Sequence, residues 1–121
     1  GTHDNDTTVG WYYGDKVPPE SKQFALRYAN TGYPDGSRIH WDFIRMASSS
    51  VAAVAVVPMQ DLLGFGSDCR MNMPSVEKGN WRWRFTRDQT SEVLSARLHR
   101  LATLTGRAPA QRQGAQGEVT R

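Results

Sequence analysis

The sequence predicts an α/β fold, and within that class the closing portion of a larger molecule rather than a self-contained domain. Three observations carry this expectation. Residues 51–57 form a short, β-branched apolar run without alternation, the pattern of a strand buried on both faces of a parallel sheet. Segments with helical start and stop signals lie on either side of that run. No second segment of the chain reads as a parallel neighbour, so the strand's hydrogen-bonding partners are expected from outside it.

Composition sets the outer bounds. With 121 residues, 38% hydrophobic and 22% charged, the chain has room for one ordinary domain of globular make-up. Fifteen Lys and Arg against twelve Asp and Glu leave a net charge of +3, too small and dispersed to call for nucleic acid or a membrane as partner. The longest apolar run falls far short of the ~20 residues of a membrane helix, and no signal peptide is expected. The lone Cys69 rules out an internal disulfide and points to a reducing compartment, the cytoplasm. No metal-ligand spacing is present.

Along the chain, residues 9–16 are aromatic but punctuated by glycine. Pro18-Pro19-Glu20 starts a helix, since proline suits the first turn and an acidic residue suits the positive dipole end. Asn30-Thr31-Gly32 ends it, and Tyr33-Pro34-Asp35-Gly36 reads as a turn. Ser37 is expected to cap a second helix with Ile39, Phe43, Met46 and Ala47 on its apolar face, widened by Trp41 and Ile44. Pro58 stops the apolar run. A one- or two-turn helix follows at residues 60–66, with Asp61 placed to cap it. Residues 67–80 are irregular, and residues 81–85 alternate aromatic and basic side chains. A last helix over residues 91–105, capped by Thr90 or Ser91, carries Leu94, Leu98, Leu101 and Leu104 and ends at Gly106. Residues 107–121 read as a disordered tail.

The densest chemistry lies at the start, in Gly1-Thr2-His3-Asp4-Asn5-Asp6-Thr7. A carboxylate beside an imidazole can serve acid–base chemistry, metal binding or hydrogen bonding to sugar hydroxyls; it can equally be a solvated chain end. The Trp-Arg alternation of residues 81–85 fits an extended segment with aromatics inward, a stacking surface for sugars, or a single-stranded nucleic-acid platform. Cys69 has no histidine near it in sequence and reads as inert, while His40 and His99 read as surface residues on polar helix faces.

Gly1-Thr2-His3-Asp4-Asn5-Asp6-Thr7 followed by Gly10-Trp11 resembles the 4-α-glucanotransferase (amylomaltase, or disproportionating enzyme) family, glycoside hydrolase family 77. Pro58-Met59-Gln60-Asp61-Leu62-Leu63-Gly64, Arg70-Met71-Asn72-Met73-Pro74 and Asn80-Trp81-Arg82-Trp83-Arg84 agree in order and spacing, so the likeness covers residues 1–105. It implies the C-terminal portion of a (β/α)8 TIM barrel, from the end of strand 7 through strand 8, at residues 51–57, to the C-terminal helix. Residues 1–106 would be the barrel part and 107–121 the tail. It implies an enzyme that transfers α-1,4-glucan segments between maltooligosaccharide donors and acceptors with retention, without metal or organic cofactor. Its carboxylate nucleophile and acid lie upstream and are not in this chain. By resemblance Asp4 is the transition-state stabiliser and His3 and Asn72 bind the glucan. Gln60 and Asp61 are expected to be structural, and Trp81 and Trp83 to pack the last helix on the barrel. Ser75 stands where the family usually carries glycine, which predicts strain if that position takes a positive φ. The alternative to this reading is a stand-alone carbohydrate-binding or interaction module without catalysis.

Overall fold

The computed structural model describes residues 2–109. Five α-helices follow in order: α1 (Thr8–Tyr13), α2 (Pro19–Ala29), α3 (Ile39–Ser48), α4 (Met59–Leu63) and α5 (Glu92–Leu104). Single 3-10 turns stand at Ser67–Cys69 and Arg87–Gln89. Helix α3 is the hub, touching α1, α2, α4 and α5. The core is correspondingly small: Leu26 and Ala29 of α2 meet Ile39, Trp41 and Ile44 of α3, all buried. Aromatic contacts extend it. Trp11 of α1 lies 5.6 Å from Phe43, and the Arg97 guanidinium of α5 sits 4.0 Å over the Trp41 ring.

The ends of α2 follow their sequence signals. Pro19 opens the helix, Glu20 lies in its first turn, and Asn30 closes it in the left-handed region at φ 49°. Ser91 caps α5, its hydroxyl accepting from the Leu94 N–H at 3.1 Å. Helix α3 departs from expectation. Ser37 does not cap it: the helix begins at Ile39 after Arg38 with no side-chain cap, and the Ser37 N–H belongs to the preceding turn, donating to the Asp35 side chain at 3.0 Å. Helix α1 was masked by its glycine and aromatic content. What starts it is Thr7, whose hydroxyl accepts from the Gly10 N–H at 3.0 Å.

The strand half of the expected α/β pattern is not formed among the described residues. Residues 51–57 run without ladder partners, and Val51, Val54 and Val56 are 107%, 74% and 84% exposed rather than buried on both faces. The reason is topological. A parallel strand takes its hydrogen bonds from neighbouring strands, and the described residues supply none. The segment's entry is instead held by Arg107, whose guanidinium donates to the carbonyls of Ser48 at 2.7 Å, Ser50 at 3.2 Å, Ala52 at 2.7 Å and Ala53 at 3.4 Å. Arg107, at the head of the expected tail, is therefore tied to the fold; residues 110–121 of that tail lie outside the described residues. Leu104, expected on the apolar stripe of α5, is 82% exposed. Among the described residues no helix is long and apolar enough to cross a membrane.

Gly36 is required twice over. Its φ is +76°, and a Cβ there would lie 2.1 Å from Cε1 of Tyr12. Gly36→Ala thus combines left-handed backbone strain with overpacking against α1, an expected cost of about 2–4 kcal/mol. Amide exchange within α1 and α3 reads it directly, as a matching loss of protection.

Candidate active site

The site is built by a turn and a loop brought together from parts of the chain 68 residues apart. The turn is Thr2 to Asn5. The Asn5 N–H donates to the Thr2 carbonyl at 3.1 Å, the Asn5 side-chain oxygen accepts from the Thr2 N–H at 3.2 Å, and the Asp4 N–H donates to the Thr2 hydroxyl at 3.3 Å. His3 and Asp4 are left at its tip, half-exposed. Below them, Asp6 accepts from the Thr7 N–H and the Ser67 hydroxyl, each at 2.7 Å. That fixes the turn to the 3-10 segment after α4.

Asp61 reinforces this joint, in a role the sequence did not suggest. It does not cap α4; its carboxylate accepts from the Thr8 N–H at 2.7 Å and so caps α1 across the molecule. A negative charge at a helix N-terminus is favourable on both hydrogen-bonding and dipole grounds. Gln60 is buried and donates to the Cys69 carbonyl at 3.2 Å, the structural role expected of it.

The second component is the loop from Arg70 to Trp81. The Trp81 N–H donates to the Met71 carbonyl at 2.8 Å, closing the loop. Asn80 fills its interior, accepting from the Met73 N–H at 3.0 Å and donating to the Val76 carbonyl at 2.8 Å. Ser75 has φ +64°, so the strained conformation anticipated at this departure from the family pattern is present, and Trp81 is left-handed too at φ +61°. The strain does not displace Asn72. Its side-chain N–H donates to Asp4 Oδ1 at 2.6 Å, and His3 Nε2 lies 3.3 Å from the same oxygen. All three residues singled out from the sequence, His3, Asp4 and Asn72, therefore meet at one point.

Two further residues belong to this cluster: Trp81, which the sequence offered among other readings as part of a sugar-stacking surface, and Arg70, to which it gave no role. Trp81 does not pack the last helix; it is 54% exposed, and its ring lies 4.9 Å from that of His3. Trp83 sits between Phe65 and Phe85, each at 6.2 Å, while α5 is held through Arg97 and Trp41. Arg70 donates to the backbone carbonyls of Asp4 and Asn72. The sequence signal for Arg70 was only its nearness to Asn72 within the loop. The cluster borders a cleft of about 530 Å³, whose wall includes His3, Asp6, Trp11, Val56, Arg70 and Trp81. Aromatic faces beside carboxylate and amide groups are what a polyhydroxylated ring requires: apolar stacking for its C–H face and hydrogen-bond partners for its hydroxyls. Both described side-chain contacts of Asp4 go to Oδ1.

The other polar candidates lie apart. His40 is not a surface residue. It is half-buried beside Gly64, its Nδ1 is buried without a partner among the described residues, and burial, then the nearby Arg97, holds its pKa below the usual histidine value. Burial, then the nearby Asp68, pushes the Cys69 thiol above its usual pKa. His99 is exposed on α5.

A model of the family described as 4-alpha-glucanotransferase matches residues 1–90. A 4-alpha-glucanotransferase of Synechocystis is 50% identical over 107 residues, covering 88% of this chain and 20% of that protein. One of Thermus thermophilus is 42% identical over 110 residues, covering 88% and 22%, and a chloroplastic/amyloplastic one of Arabidopsis thaliana is 46% identical over 110, covering 88% and 18%. The amylomaltase from Streptococcus agalactiae, solved in complex with acarbose, superposes with a TM-score of 0.81 at 32% identity, over 90% of this chain and 21% of its own. The chain thus spans about a fifth of the length of the relatives it matches. With the family model covering the His3–Asp4 turn and the Asn72 loop alike, this chain belongs to the 4-alpha-glucanotransferase family.

Proposed function

We propose that this chain forms the C-terminal part of the catalytic (β/α)8 barrel of a 4-α-glucanotransferase acting on maltooligosaccharides in the cytoplasm. Residues 1–106 make up the barrel part, with residues 51–57 as its eighth strand, and Arg107 is tied to that part. In this reading the Asp4 turn and the Asn72 loop sit at the C-terminal ends of neighbouring strands, where active sites of this fold lie. The free thiol of Cys69 fits a reducing compartment.

The reaction retains configuration, so it uses a carboxylate nucleophile and a carboxylic acid about 5 Å apart and passes through an oxocarbenium-like transition state. Both groups come from earlier in the polypeptide. Asp4 supplies the third carboxylate: its hydrogen bonds to hydroxyls of the sugar at the cleaved bond strengthen as the ring flattens, and its charge faces the developing cation. His3 and Asn72 contact the same sugar and keep Asp4 in place. The observation that carries this reading is the convergence on Asp4 Oδ1 of Asn72 at 2.6 Å and His3 at 3.3 Å. The acarbose complex of the amylomaltase relative supports an oligosaccharide as substrate.

The test is transfer between maltotriose molecules. A full-length relative in which residues 1–109 replace the matching segment is expected to convert maltotriose into glucose and longer maltooligosaccharides. The chain alone is expected to form none, since a stabilising carboxylate has no route to a glycosyl intermediate without its nucleophile and acid. Longer products from the chain alone, or none from the hybrid, would overturn the proposal.

A further inference from the structure

Asp4 and Asn72 lie 68 residues apart, yet their side chains meet at 2.6 Å, and something must hold the two backbones in register. The half-buried Arg70 side chain spans the gap. Its Nε donates to the Asn72 carbonyl at 2.8 Å and its terminal Nη2 to the Asp4 carbonyl at 2.5 Å. Because a guanidinium is planar and its nitrogens keep a fixed separation, two bonds from one head set the spacing of the two carbonyls. The root of the side chain is fixed as well. The Arg70 N–H donates to the Ser67 carbonyl at 3.1 Å, and Ser67 in turn binds Asp6 at 2.7 Å, next to the turn that carries Asp4.

What Arg70 leaves alone is as informative. It forms no ion pair with the Asp4 carboxylate; among the described residues the ion-pair partner of Asp4 is His3. A guanidinium paired to that carboxylate would occupy its lone pairs and offset the charge a cationic sugar needs. Bound to carbonyls, it orients the group without itself occupying a carboxylate oxygen. We infer that Arg70 is a positioning residue for glucan transfer, bracing the Asp4 and Asn72 backbones so that the Asp4 carboxylate is aimed at the sugar. The inference rests on the proposed role of Asp4.

The experiment uses the full-length hybrid and compares Arg70→Ala, Arg70→Lys and Asp4→Asn. Misplacing a reacting group by about 1 Å costs about 100-fold, so Arg70→Ala is expected to lower kcat by about that factor with KM within about threefold of the parent. Lysine carries one compact head that reaches a single carbonyl, so Arg70→Lys is expected to lie between the two. Added guanidinium ion at millimolar concentration is expected to restore part of the kcat of Arg70→Ala, which a merely structural role would not permit. Arg70→Ala and Arg70→Lys both at the parent kcat overturn the inference, as does a loss in Arg70→Ala that tracks its melting and answers to no guanidinium. An Asp4→Asn variant as active as the parent overturns the underlying reading of Asp4, and with it the inference.

Discussion

Asp4→Asn in the full-length hybrid lowers kcat for maltotriose transfer about 1,000-fold while KM and the melting temperature stay close to the parent's. The substitution is nearly isosteric, and an amide oxygen still accepts from Asn72, so the Thr2-to-Asn5 turn and the 2.6 Å contact survive. What disappears is a full negative charge beside a ring that becomes cationic only at the transition state. Hydrogen bonds and charge of this kind supply several kcal/mol in glycoside chemistry, and about 4 kcal/mol corresponds to a thousandfold. The loss falls on kcat because the ground-state sugar carries no charge to be stabilised. Glucose release at saturating maltotriose, with a thermal melt of the same sample, checks it. A kcat within tenfold of the parent would refute the role of Asp4.

Val54→Lys gives opposite outcomes in two settings. In the isolated chain the side chain is 74% exposed, so helix content by circular dichroism is unchanged and solubility rises, because a lysine on an unpaired extended segment discourages edge-to-edge association. Under the proposed barrel reading, the same position in the full-length hybrid lies in a strand covered on both faces. A buried ammonium without a partner there costs about 3–5 kcal/mol, read as a lower urea midpoint or as loss of soluble protein. Equal tolerance in both settings would exclude residues 51–57 as a barrel strand.

The contrast between these segments explains what was legible in the sequence. Helices α2 and α5 announce themselves by local chemistry, Pro19 with Asn30 in one and Ser91 in the other, and local chemistry operates whatever else is present. Residues 51–57 state their preference just as clearly, but a strand is completed by partners distant in sequence, so the preference is expressed here as an exposed run. The site divides along the same line. His3 and Asp4 stand out because their side chains are chemically costly and adjacent. Arg70 acts on backbone carbonyls 66 residues apart in one case and two in the other, and carbonyls have no sequence signature. Asp61 was placed on the right helix end by type but on the wrong helix, since its partner Thr8 lies 53 residues away.

The clasp made by Arg107 also constrains the order in which the molecule can be assembled. The Ser48 carbonyl it binds emerges from the ribosome 59 residues earlier, and that of Ala52 55 residues earlier. At roughly 5–20 residues per second, those carbonyls wait several seconds for their donor. During that interval the valine-rich stretch beside them lacks its tie at the entry.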